Sequence, residues 1–158
     1  MIFVTVGTHE QQFNRLIRSI DELSLNEKVV IQTGYSNYIP QNVEWKKFYD
    51  YDEMNELISK SDICITHGGP ATFMNVLEKG KIPIVVPRQK KYGEHVNNHQ
   101  LSFAKRIVLQ GYKLLVVEDT KKLKYYIETA RADDAKPTFS NNEKFNELLI
   151  NEIRKMVN

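Results

Sequence analysis

Short runs of apolar, β-branched residues alternate along this chain with longer stretches in which apolar positions recur at a helical period. The runs Ile2–Val6, Lys28–Gln32, Val43–Lys46, Ile63–Thr66, Ile84–Val86 and Lys113–Val117 predict strands. The spacing in Gln11–Glu22, Tyr51–Lys60, Ala71–Lys79, Val96–Gln110, Lys121–Arg131 and Asn142–Met156 predicts helices. Strand and helix in alternation predict parallel βαβ units. Ile63-Cys64-Ile65 and Ile84-Val85-Val86 are apolar without alternation, as expected of strands covered on both faces. The expected fold class is therefore α/β: a Rossmann-like, doubly wound parallel sheet occupying residues 1–158 as one domain. Near the end, Phe145, Leu148, Leu149, Ile153, Met156 and Val157 recur at helical spacing. A helix over 142–157 reads either as a cover for its own sheet or as a docking element for another chain. Tyr125, Tyr126 and Ile127 are further candidates for such an interface.

Composition narrows the class without choosing the function. With 41% hydrophobic and 27% charged residues, the 158-residue chain can bury a core and is not of disordered type. The net charge of +2, from 22 basic and 20 acidic residues, predicts no strong field for nucleic acid or for a membrane. The single cysteine, Cys64, excludes an internal disulfide and reads as a reduced core residue, which fits a cytoplasmic setting. The apolar start Met1–Gly7 is too short for a signal segment or a membrane span, so work at a membrane is expected to run through a partner.

In such sheets function collects in the loops at the carboxyl ends of the strands. The first loop carries Gly7-Thr8-His9. Gly7 permits a tight turn, and Thr8 reads either as an anion or sugar contact or as the cap of the next helix. His9, at the tip, reads as a general base or as an exposed loop histidine. The fourth loop is Thr66-His67-Gly68-Gly69-Pro70-Ala71-Thr72. Its glycines let the backbone wrap a ligand, and Pro70 suits the first helical turn. The N–H groups of Ala71 and Thr72, with the Thr72 hydroxyl, form a candidate diphosphate cradle to which His67 adds a donor or a positive charge. Asn75 lies one turn on, on the same face, within reach of a ribose hydroxyl, and Glu78 reads as a solvated helix residue. The fifth loop crowds Arg88, Gln89, Lys90, Lys91, Glu94, His95, Asn97, Asn98, His99 and Gln100 together, a density suited to reading a sugar. Arg88, Lys90 and Lys91 face either phosphate or solvent. His95 and His99 at helical spacing leave a metal as a minor alternative.

The pattern from His67-Gly-Gly-Pro-Ala-Thr72 through Gly80, Pro83 and Pro87 to Asn98-His99-Gln100 resembles the donor-binding C-terminal domain of family-28 GT-B glycosyltransferases. The chain is most similar to the small subunits of split enzymes, some of which extend a dolichol-linked GlcNAc while others serve bacterial capsule or exopolysaccharide assembly. Gly7–Leu16 and Val85–Gln100 look especially like the bacterial subunits that add galactose to a lipid-linked glucose. The resemblance implies one half of a GT-B fold and inverting transfer from a UDP-sugar donor, with no cofactor or metal required. It also implies a separate membrane-anchored, acceptor-binding subunit, a lipid-linked sugar acceptor, and a place at the inner face of the membrane through that partner. By the same resemblance Gly68, Gly69 and Thr72 hold the diphosphate with His67 nearby, Glu94 and His95 reach the donor sugar, and Phe48 or Tyr49 borders the uracil. Phe48 reads otherwise as core. Asn75 stands where relatives carry a ribose-gripping carboxylate, and an amide is the weaker acceptor there. Two rival readings are a non-catalytic nucleotide-sugar-binding subunit and a flavodoxin-like regulatory module. The second leaves the polar loop after Pro87 without a purpose.

Overall fold

The computed structural model describes residues 1–132 and contains every strand that the apolar runs predict. The expected helix over 142–157, with its possible docking face, lies outside the described residues. The strands are β1 (Ile2–Thr5), β2 (Val29–Gln32), β3 (Glu44–Lys46), β4 (Ile63–His67), β5 (Ile84–Val86) and β6 (Leu115–Val116). All neighbouring pairs are parallel, in the order β3-β2-β1-β4-β5-β6. The helices are α1 (Asn14–Glu22), α2 (Tyr51–Lys60), α3 (Pro70–Glu78), α4 (His99–Leu109) and α5 (Leu123–Ala132). Residues of β1, β2, β4 and β5 are buried throughout, which explains their unbroken apolar runs.

The sheet separates two apolar layers. On one face Val4, Ile31 and Ile65 join Leu16 and Ile17 of α1 and Leu123 and Ile127 of α5. On the other, Phe3, Val30 and Cys64 meet Ile58 of α2 and Val76 of α3. Cys64 is buried there, and its burial pushes the thiol up to about 11, so it is inert. The strand order reverses between β1 and β4. The chain leaves β1 towards one edge and leaves β4 towards the other, which opens a crevice between their carboxyl ends.

Helices α1 and α4 each start three residues later than periodicity predicts, for one reason. Around Gln11 and Gln12 the backbone is held open. Their carbonyls accept from the Arg88 guanidinium, Phe13 N–H donates to Ser36 Oγ, and Asn14 N–H donates to Gln12 Oε1. Thr8 is therefore far from the helix start, and the expected cap at that position does not form. Before α4, Asn97 Oδ1 accepts from His99 N–H and Asn98 Oδ1 accepts from Lys90 N–H. Such local bonds compete with helix formation.

A buried carboxylate fixes the long connection from β2 to β3. Asp21, 1% exposed on α1, accepts from Tyr38 Oη at 2.9 Å and from the amides of Gln41 and Asn42 at 2.7–3.1 Å. Burial pushes its carboxyl up, but those hydrogen bonds together outweigh burial and hold it below the ordinary 3.8. Its contribution to stability is complete above that value and is lost as pH falls through the lower folded value. Replacing Asp21 with Asn is expected to cost about 1–3 kcal/mol in urea unfolding near neutral pH. The gap to wild type should narrow as the medium is acidified below the ordinary carboxylate range.

Candidate functional site

The crevice is a cavity of about 420 Å³. Gly7 and Thr8 line it from the loop after β1, Gln32 from β2, and Tyr49, Tyr51, Met54 and Ile58 from the segment running into α2. His67, Gly69, Pro70, Ala71, Thr72 and Asn75 complete it from β4 and α3. No lining residue carries a full charge. The sequence-predicted residues Gly7, Thr8, His67, Gly69, Ala71, Thr72 and Asn75 are thus brought to one place.

His67 sits at its centre. A Cβ built on Gly69 would lie 2.2 Å from His67 Nε2, and one on Gly7 would lie 2.4 Å from it. The two glycines are therefore the only residue type that lets both loops close on the ring. Gly7 is also left-handed, at φ 77°. Burial above all, then the charges of Arg88, His9 and His95, push the imidazole down to about 3. His67 is thus neutral, which corrects the expectation of a positive charge beside a phosphate. Its Nδ1 is buried without a hydrogen-bond partner, as are Thr66 Oγ1 and Arg88 Nε. Orphaned buried polar atoms call for an explanation, and here two of them end the strand that opens on the crevice.

Helix α3 begins beside the ring. Gly69 is its N-cap with no side-chain cap, and Pro70 opens the first turn. Thr72 N–H turns back to the Gly69 carbonyl at 3.2 Å, while Ala71 N–H lies in the uncapped turn. The helix dipole makes this end attractive to an anion. Gly68 takes no part, because its N–H donates to Gln100 Oε1 at 3.1 Å.

At the far wall Asn75 Nδ2 donates to Asn55 Oδ1 at 2.7 Å, and Lys79 Nζ donates to Asn75 Oδ1 at 2.7 Å and to Asn55 Oδ1 at 3.2 Å. The amide is oriented on both sides and keeps one N–H and one lone pair for a hydroxyl. Asn55 was not legible from spacing, since α2 and α3 are separate in sequence, whereas Lys79 stands at i+4 from Asn75 and was passed over. Gln32 was also missed. It bonds Thr5 Oγ1 and Tyr49 N–H at 2.8 Å and so couples the end of β1 to the aromatic wall. A polar residue closing the apolar run Val29-Val-Ile-Gln32 was the available signal. The aromatics in the wall are Tyr49 and Tyr51. Phe48 is neither core nor lining, being partly exposed and edge-on to Tyr35 at 5.1 Å.

The fifth loop differs most from expectation. Arg88, read as a phosphate contact or part of a solvated patch, is fully buried. Its guanidinium donates to the carbonyls of Val6 at 2.9 Å, Gln11 at 2.8 Å, Gln12 at 3.2 Å and Glu94 at 3.0 Å. Burial lowers it to about 10, so it remains cationic. Glu94, expected to read a sugar, has no exposed side-chain surface. It holds Arg15 through both oxygens at 2.8 and 3.0 Å and accepts from Gln89 N–H. Gln100 spends its oxygen on the amides of Gly68 and Arg88. Asn98 binds Lys90 N–H. These residues tie the loops to one another and do not line the crevice. His95 is half-buried, and its ring stacks on His9 at 4.6 Å and 11°. Because α4 starts only at His99, the helical spacing that suggested a His95–His99 metal pair does not exist. Among the described residues no group of three or more His, Cys, Asp or Glu is arranged for a metal, and no helix is long and apolar enough to cross a membrane.

Comparison with known proteins identifies the family and the fold. Residues 1–156 match the glycosyltransferase family 28 C-terminal domain. The human UDP-N-acetylglucosamine transferase subunit ALG13 is 34% identical over 125 residues, covering 70% of this chain. The UDP-N-acetylglucosamine–N-acetylmuramyl-(pentapeptide) pyrophosphoryl-undecaprenol N-acetylglucosamine transferase of Streptococcus uberis is 29% identical over 121 residues, covering 75%. This chain spans 10% of the length of the former and 33% of the latter. Among solved structures, ALG13 in solution superposes with a TM-score of 0.63 at 20% identity over 94% of both chains. The glycosyltransferase SnogD from Streptomyces nogalater reaches 0.54 at 20% identity over 82% of this chain and 35% of its own. The shared architecture is the Rossmann-like half of a GT-B glycosyltransferase.

The depressed His67 titration has two consequences. Its NMR resonances should stay at neutral-imidazole positions throughout about pH 5–8, the range in which an ordinary histidine titrates. The unfolded chain binds this proton first, so the stabilisation is complete above the ordinary 6.5 and is lost as pH falls from there towards about 3. His67→Gln should flatten that part of the stability–pH curve measured by thermal unfolding.

Proposed function

This chain belongs to the glycosyltransferase family 28 C-terminal domain family, and on that premise we propose that it is the donor-binding, catalytic subunit of an inverting UDP-sugar-dependent hexosyltransferase. The acceptor is a lipid-diphosphate-linked sugar presented by a membrane-anchored partner subunit, and the product enters capsule or exopolysaccharide assembly. The reading rests above all on the uncapped start of α3, which opens on a charge-free crevice beside the neutral His67 ring. The diphosphate lies at that helix end, where Ala71 N–H and the Thr72 hydroxyl meet it. Asn75 takes the ribose, and the Tyr49–Tyr51 wall borders the base.

In the reaction an acceptor hydroxyl attacks the anomeric carbon, and the bond to the diphosphate breaks with its electron pair leaving on UDP. Negative charge grows on the leaving phosphate, where the helix dipole and the N–H donors act. His67 adds a hydrogen bond and no charge. His9, next to Thr8 in the first loop, accepts the hydroxyl proton. Galactose as the donor sugar is supported by the likeness of Gly7–Leu16 and Val85–Gln100 to bacterial galactosyltransferase subunits. The names of the ALG13 relatives favour N-acetylglucosamine as the second reading.

A donor screen on the chain co-expressed with its acceptor subunit decides between these sugars by which UDP-sugar is consumed. Gly69→Ala, which drives a methyl group into the His67 ring, should weaken UDP binding to the chain by at least about tenfold in calorimetry, or ~1.4 kcal/mol. His9→Ala should reduce turnover by about a hundredfold or more and leave UDP affinity unchanged. Undiminished turnover would remove His9 as the base.

A further inference from the structure

Two imidazoles from different loops lie face to face outside the crevice lining. His9 follows β1 and His95 follows β5, with ring centroids 4.6 Å apart and planes 11° from parallel. Each ring is also fixed at its edge. His9 Nε2 bonds Gln11 Oε1 at 2.9 Å, which makes Nε2 the protonated nitrogen and leaves Nδ1 basic. His95 Nδ1 accepts the Asn97 N–H at 3.3 Å, which places the proton of its neutral form on Nε2.

The surroundings of His95 disfavour its protonation. Arg88 of the fifth loop, His67 at the end of β4 and His99 of α4 are basic groups. The nearby carboxylate of Glu94 is fully buried and engaged by Arg15 and Gln89 N–H, and Glu10 is exposed beside His9. Burial first, then the charges of His9, Arg88 and His99, hold the His95 imidazole below its ordinary range.

We infer that His95 is a positioning residue for His9: its neutral ring holds the His9 imidazole in one orientation and faces the imidazolium that forms there. This rests on the reading of His9 as the base. The acceptor O–H breaks, its proton goes to His9 Nδ1, and its electron pair forms the new bond to the anomeric carbon. The developing cation then lies over an aromatic face, a favourable arrangement. The role differs from contact with the donor sugar, because the His95 ring is occupied by His9.

Two measurements test this on the full-length chain. The first is a histidine NMR titration without partner or substrate. His95 should titrate below an ordinary histidine and move up towards it in His9→Asn. A His95 that titrates normally and does not move would overturn the stack, whatever the activity. The second is turnover with the acceptor subunit and whichever UDP-sugar the donor screen selects. His95→Ala should lower kcat by about tenfold or more with KM for the donor unchanged, within the range of losses for acid–base groups. His95→Phe, which keeps an aromatic face and cannot take a proton, should recover most of that loss. Full activity in His95→Ala alongside an inactive His9→Ala would sink the positioning role and leave the base standing. Full activity in both would sink the base and this inference with it.

Discussion

The carboxyl end of the sheet, where the crevice opens, is organised by one buried cation. Arg88 enters from the end of β5 and gives its guanidinium to the carbonyls of Val6, Gln11, Gln12 and Glu94. A buried charge is tolerated only when it is bonded and compensated. The carbonyls supply the bonding, and the Glu94 carboxylate, itself held by Arg15, supplies the compensation. The Phe13 ring covers the guanidinium at 4.9 Å. Remove the guanidinium and the first and fifth loops lose their common anchor. Those loops carry Gly7, Thr8, His9 and His95, so the geometry around the crevice depends on a residue that does not line it.

This arrangement explains why the loops are polar without being free. Gln100 joins the amides of Gly68 and Arg88, Gln89 reaches the Glu118 carbonyl, and Asn98 holds Lys90. A dense run of hydrogen-bonding side chains reads as a ligand surface, yet here most of its capacity is spent inside the protein. Irregular backbone at the end of a parallel sheet leaves amides and carbonyls that no ladder satisfies. The glutamines and asparagines of the fifth loop satisfy them, and that loop contributes no side chain to the crevice lining.

The legible part of this protein was the part governed by local periodicity. Apolar β-branched runs identified all six strands of the sheet, and the glycines and proline between β4 and α3 identified the helix start that opens on the crevice. Less was legible where a residue's role depends on what the fold brings to it. Nothing in Pro87-Arg88-Gln89 distinguishes a solvated arginine from a buried one, because the four carbonyls that receive it lie on three separate stretches of chain. Asn55 meets Asn75 only because α2 and α3 pack side by side, and Gln32 matters only because β2 lies next to β1. The late starts of α1 and α4 have the same origin, since side-chain bonds to backbone amides overrule a helical pattern that was present in the sequence.

The crevice is surrounded by charge and lined by none. Arg15 is paired with Glu94 and Arg88 is bonded to backbone carbonyls behind the loops, Lys79 is held by two amide oxygens, and His67 is kept neutral by burial. An anion bound here is met by dipoles: a helix end, backbone amides, a hydroxyl and an imidazole. Dipoles fixed by the fold require little reorganisation when charge grows on a leaving phosphate, and they favour the more charged state in proportion to that growth. A lysine or arginine in their place would also bind the diphosphate strongly before reaction and after it, and interactions shared by ground state and transition state do not accelerate chemistry. Burying the cations behind the loops and presenting only neutral donors to the crevice therefore suits the proposed reaction, in which a departing nucleotide is stabilised and then released.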